Sequence, residues 1–155
     1  MNISEGKDEI VIDQNYYILN LESPDIAPIS HLKRDDLLPE KFQSIFRSIS
    51  SKLNMLAMLA RPDLMYDVKV FTTKYGSATK RDLFKAMKTI RRVKEENTIL
   101  TLPNIGDMKD WILVGVTDAS NKSVNQVFAV GGYVIMLVNR KTNRAAVLTW
   151  SSKKN

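Results

Sequence analysis

Trp111-Ile-Leu-Val-Gly-Val-Thr-Asp118-Ala-Ser120 is the stretch on which the reading of this fold turns. The six residues Trp111–Val116 are apolar or glycine, with no charge among them. Such a run predicts a strand buried on both faces. It stops at a carboxylate, Asp118, followed by small Ala119 and Ser120. A hard anionic group at the tip of a rigid strand suits a divalent metal. An Asp that opens a turn by bonding its own downstream backbone explains the same residues. Of the two, the stretch alone favours the turn.

Outward from it, the chain reads as strands joined by short polar segments. Asn121-Lys-Ser-Val-Asn125 is a polar loop, and Val127–Val138 is a second strand. Gly131-Gly132 within that strand predicts a bulge or a close backbone approach. Asn139-Arg-Lys-Thr-Asn143 is a tight turn, and Ala145–Trp150 is a third strand. Three sequential strands with short joins form an antiparallel meander. Three strands alone make a poor domain, so the expectation is an open sheet face and self-association through it.

Upstream the period changes from two to between three and four. The turn cluster Pro103-Asn104-Ile-Gly106-Asp107 is the best internal boundary. Ahead of it, Thr79-Lys-Arg-Asp82 has the form of a capping box. The helix it opens buries Leu83, Ala86, Met87, Ile90 and Val93 on one side. Arg81, Lys85, Lys88 and Arg92 project from the other side in a line. A cation rail for a phosphate backbone and an ordinary solvated helix face both fit this pattern. The lack of negative partners on that face of the helix tilts the reading toward the rail.

Pro39 opens an earlier helix, with Phe42, Ile45, Phe46, Ile49, Leu53, Leu56, Ala57 and Ala60 on one stripe. Met55, Met58 and Leu59 widen that stripe, so its C-terminal half is expected to be deeply buried. Arg61-Pro62-Asp63 ends it and starts another, with Leu64, Met65, Val68, Phe71 and Tyr75 inward and Gly76 as C-cap. Near the start, Glu9–Asp13 reads as a strand, and Asp13 as the cap of a helix over residues 14–21. Ser23-Pro24 and Ala27-Pro28 break that helix. His31, the single histidine, has no second ligand pattern beside it and reads as a surface residue.

Composition narrows the function classes. A chain of 155 residues, 44% apolar and 26% charged, is globular and long enough for one domain or two small lobes. Without cysteine there is no disulfide framework and no thiolate metal site. Residues 1–8 lack an apolar core of the secretory kind, and no run approaches the roughly 18 residues of a membrane span. The expectation is an intracellular chain with no membrane partner. The net charge is +6, and the 37 residues after Asp118 hold no Asp or Glu but six cations: Lys122, Arg140, Lys141, Arg144, Lys153 and Lys154. Basic surfaces attract polyanions, usually nucleic acid. The same segment offers no second carboxylate to help Asp118 hold a pair of metal ions.

Arg61-Pro62-Asp63, the basic helix over 79–96, Thr117-Asp118-Ala119-Ser120, Gly131-Gly132-Tyr133 and Trp150-Ser151-Ser152-Lys153-Lys154 follow one another in a particular order and spacing. Each is weak alone. Together they resemble the Pol polyprotein of copia-type retrotransposons, from the end of reverse transcriptase into ribonuclease H, over about residues 8–154. The resemblance implies an α+β chain: a helical thumb/connection-like region over 1–105, then residues 106–155 as a three-stranded antiparallel meander resembling an incomplete ribonuclease H fold. It implies that Asp118 stands where the family has its first metal-binding aspartate, with Mg2+ as the family's ion. The family's polymerase turn, Tyr-x-Asp-Asp, does not occur in this sequence. The remaining ribonuclease H acids would follow Lys154, so Asp118 is expected to be vestigial, with no ion stably bound and no catalysis by this chain alone.

Three readings follow. The first is a truncated Pol fragment with an ancestral but incomplete site. The second is a reused module that grips an RNA–DNA hybrid or duplex, weakly and with salt dependence, through Arg81, Lys85, Lys88, Arg92 and the basic tail. The third is a protein-interaction scaffold.

Overall fold

The computed structural model describes residues 1–96, 98–120 and 130–154. The loop expected over Asn121–Asn125, its Lys122, and the start of the second meander strand at Val127 lie outside the described residues. The same holds for the side chains of Lys153 and Lys154. The architecture mixes helix and sheet, and the chain divides into two compact units. One is helical and spans Gln14–Thr98; the other joins Asn2–Asp13 to the chain from Ile99 onward. The division therefore falls between Thr98 and Ile99, a few residues before the Pro103–Asp107 cluster.

The helical unit contains α1 (Asn15–Leu19), α2 (Glu40–Leu59), α3 (Met65–Thr72) and α4 (Lys80–Glu95). Its core forms where the apolar stripes of α2, α3 and α4 meet. Phe46, Leu53, Leu56, Leu64, Leu83 and Val93 are fully buried. Each contributes about 1.5–3 kcal/mol through burial of apolar surface. Phe46 and Phe71 meet edge to face, with ring centroids 6.0 Å apart and planes at 77°. Pro39 stands at the N-cap of α2 instead of its first helical position. The late widening of α2 is not buried: Met55, Met58 and Leu59 face outward. A helix offers its neighbours one stripe, and these three residues lie beyond its edge.

Two further expectations change. Asp13 is the last residue of a strand, and Gln14 takes the N-cap position of α1 without a side-chain cap bond. Gly76, at φ +82°, lies four residues past the end of α3, where Thr73 is the C-cap. Gly76 therefore supplies the left-handed residue of the following turn, a conformation that costs glycine little.

The N-terminus of α4 is tied to the segment before α2. Leu38 N donates to Ala78 O (3.0 Å), Lys80 N to Asp36 O (3.0 Å) and Arg81 N to Arg34 O (2.8 Å). Gln43 clamps the same junction: Nε2 donates to Ala78 O (2.8 Å), and Oε1 accepts from Ala78 N (3.1 Å). The capping box forms as the sequence predicts, with Asp82 Oδ2 accepting from Thr79 N (2.9 Å) and Thr79 Oγ1 accepting from Asp82 N (3.4 Å). The orphan amides that usually open a helix end are thus occupied by the protein itself.

The second unit holds two antiparallel sheets. One comprises β1 (Asn2–Glu5), β2 (Glu9–Asp13) and β3 (Leu100–Pro103), in that order. The other is the meander of β4 (Trp111–Ser120), β5 (Val130–Asn139) and β6 (Ala145–Lys154). The register shift in the meander falls at Ile135/Met136, not at the glycine pair. At Gly132 a Cβ would stand 3.4 Å from Ser151 O, at the edge of ordinary van der Waals contact. The β5–β6 turn is held by Asn139, whose buried Oδ1 accepts from Lys141 N (2.8 Å) and Thr142 N (3.1 Å). Asn143 adopts φ 53° there, as asparagine tolerates.

The two-faced burial expected for β4 is corrected. Leu113 is 66% and Val116 52% exposed, and they lie on opposite faces because an odd number of positions separates them. On β6, Leu148 is also exposed. A charge-free run permits burial on both faces but does not supply the layers that cause it.

Candidate nucleic-acid interface

The four cations expected to act as one rail divide into two pairs. Arg81 and Arg92 are matched by carboxylates, which corrects the expectation that this face lacks negative partners. Arg81 Nη2 lies 2.7 Å from the Asp35 carboxylate. Arg92 Nη2 lies 3.2 Å from Asp67 Oδ2 and 4.0 Å from Asp63 Oδ2, and Arg92 Nε lies 4.0 Å from Glu96 Oε2. Asp35, Asp63 and Asp67 come from other segments, so a helical projection of α4 could not show them.

The Arg92 end continues into a second network around Arg61, whose side chain is 1% exposed. Its Nε and Nη2 donate to the two oxygens of Asp63, at 2.8 and 2.9 Å. Nη2 also reaches Glu96 Oε2 (3.2 Å), and Nη1 donates to Glu96 O (3.1 Å). The fork geometry of guanidinium and carboxylate makes such bonds strong and directional. The hydrogen bond from Arg61 holds the Asp63 carboxyl below the usual carboxylate range, against the opposing effect of partial burial. The same bond raises the already high value of Arg61. Arg61-Pro62-Asp63 thus ties the end of α2 to the end of α4.

Lys85 and Lys88 differ: both are exposed, and their ammonium groups have no partner among the described residues. They line a groove of about 430 Å³ together with Arg34, Lys80, Arg81 and Phe84. Lys80 Nζ donates to Ser30 O (2.9 Å) and Leu32 O (2.7 Å), which fixes the near wall. Arg34 is exposed and is brought alongside by its backbone bond to α4. Counting 100° per residue, Lys80, Phe84, Lys88, Arg81 and Lys85 occupy one continuous arc of α4. The sequence reading missed Arg34, which is remote in the chain. It also missed Phe84, although an apolar residue within a cationic arc was a usable signal.

Asp118 lies elsewhere. It is exposed on β4, opposite Gly132 of β5, which in turn faces Ser152 of β6. Asp110 and Asp107 lie at the other end of the strand; the eight-residue rise from Asp110 to Asp118 is about 27 Å. Among the described residues, no three histidine, aspartate or glutamate side chains form a metal-holding group. The residues described around Asp118 therefore do not fit a pair of magnesium ions. In the basic tail, Lys141 Nζ pairs with Asp110 (3.1 Å), and Arg144 Nη1 donates to Asn104 O (3.3 Å).

No helix among the described residues is long and apolar enough to cross a membrane. No family model, curated protein or solved structure matches the chain.

Proposed function

We propose that this chain is a segment of a copia-type retrotransposon Pol polyprotein, running from the thumb and connection of reverse transcriptase into the first strands of ribonuclease H. In this reading it grips nucleic acid and does not by itself cleave or extend it. The motif order supports the assignment, as does an antiparallel meander that carries Asp118 on its first strand. The observation that carries the binding function is the groove beside α4, where Arg34, Lys85 and Lys88 have no ion-pair partner among the described residues. Contacts of this kind position a phosphate backbone without reading its sequence.

Titrating a labelled RNA–DNA hybrid against rising salt tests the reading. Three phosphate contacts give a log–log slope of about −2.7, from 0.9 per contact. No mobility shift with either the hybrid or a single strand at low salt removes the binding function. Incubation of hybrid with Mg2+ is expected to give no products; cleavage that disappears in Asp118→Asn overturns the non-catalytic part.

A second reading, as an interaction scaffold, rests on a different observation: Leu113, Val116 and Leu148 are exposed on the meander. It expects concentration-dependent association, and a purely monomeric sedimentation profile contradicts it.

A further inference from the structure

We infer that the α4 groove takes an unpaired strand, with one base stacked on the ring of Phe84 and the flanking phosphates on Arg34, Lys85 and Lys88. This rests on the nucleic-acid reading above and narrows it from any polyanion to single-stranded nucleic acid.

The inference begins with Phe84 itself. It is 41% exposed although its helix buries Leu83, Ala86, Ile90 and Val93 on a complete apolar stripe. Phe84 lies about 100° from Leu83 around the axis, so the core does not require it. One exposed apolar side chain is ordinary on a protein surface. This one stands apart because of its setting. Lys80 and Lys88 are one turn before and after it, Arg81 lies three residues back, and all of them line the same groove. An aromatic face inside a cationic channel is the arrangement by which proteins hold single strands, since every base has a π-face and every linkage has a charge. A duplex hides its base faces inside the stack and shows only edges and phosphates. It could use the cations but not the ring.

The fold also fixes what the ring can meet. The first amides of α4 are bonded to Asp36 O, Arg34 O and Thr79 Oγ1, so a phosphate cannot settle on the helix end. The Nζ of Lys80 is held by two carbonyls, and Arg81 by Asp35. Among the described residues, open charge therefore remains at Arg34, Lys85 and Lys88, which line the groove with Phe84. Three contacts to a single strand give a salt slope of about −2, shallower per contact than for duplex.

Fluorescence anisotropy of the whole chain at low salt tests this with three probes: a short labelled oligo(dT), the same strand annealed to oligo(rA), and an abasic strand of equal length. Oligo(dT) is expected to bind about tenfold more tightly than the abasic strand, the scale of one stacked base. Phe84→Ala, and the apolar but non-aromatic Phe84→Leu, should remove that preference, with a loss on oligo(dT) about tenfold larger than on the abasic strand. Joint replacement of Lys85 and Lys88 by Ala should weaken all three probes. Equal affinity of the unaltered chain for oligo(dT) and abasic strand overturns the inference, as does equal loss on both in Phe84→Leu. Binding of the hybrid alone would overturn it and leave the broader function standing. Binding of no probe would overturn both.

Discussion

The helical unit and the β4–β6 meander carry similarly apolar sequences to opposite ends. In α2, α3 and α4 the apolar residues recur at helical spacing, and three stripes close on one another until Phe46, Leu53, Leu56, Leu64 and Leu83 lose all contact with water. In β4 a denser apolar run leaves Leu113 and Val116 exposed on opposite faces. Apolar content is therefore a poor guide to burial. What matters is whether another surface is positioned to receive the side chain.

The comparison can be broken first at Phe46. Phe46→Ala should cost about 3–5 kcal/mol, through lost transfer energy and the cavity beside Phe71. Urea denaturation followed by circular dichroism would read this, and a loss under about 1 kcal/mol would mean the helical core is not packed as described.

A smaller effect is expected at Arg61. Removing it leaves Asp63 and Glu96 with only their longer 4.0 Å contacts to Arg92, and both carboxylates are about half exposed to water. The cost should therefore be about 1–3 kcal/mol, below that of stranding a fully buried charge. It should also depend on pH. Because Asp63 is depressed in the folded state, its contribution is complete above the ordinary carboxylate value and is lost as pH falls through the folded value. Solvent screening limits its size. Arg61→Ala should accordingly flatten the acid limb of a stability-against-pH curve, and an unchanged limb would show that the pair contributes nothing.

The smallest effect belongs to the meander. Leu113→Ser should alter stability by no more than about 0.5 kcal/mol, as an exposed substitution does. A loss approaching that of Phe46→Ala would show that a partner surface covers Leu113 in solution.

Much of the helical unit was legible because its signals are local. Thr79 and Asp82 close a capping box within one turn, and Leu83, Ala86, Ile90 and Val93 repeat at intervals fixed by helix geometry. The meander was legible in outline for the same reason, through period and turn residues. The first sheet was not: β2 was visible as Glu9–Asp13, but its pairing with Leu100–Pro103 joins segments almost ninety residues apart. The candidate site shows the same limit. Lys85 and Lys88 stand out on a helical projection, whereas Asp35 on Arg81, Asp67 on Arg92 and Arg34 beside Phe84 come from segments no local pattern connects.

The sequence by itself determined the main helices, β2 and the meander strands in outline, where α4 begins, and that the 37 residues after Asp118 are basic and free of acid. It could do so because propensity, capping and charge count belong to residues and their near neighbours. Only the tertiary structure decided which charges are neutralised, which apolar side chains are dry, and which cations share a groove with an aromatic ring. Burial and ion pairing act across a few ångströms of space, and the fold brings together there residues that the chain keeps far apart.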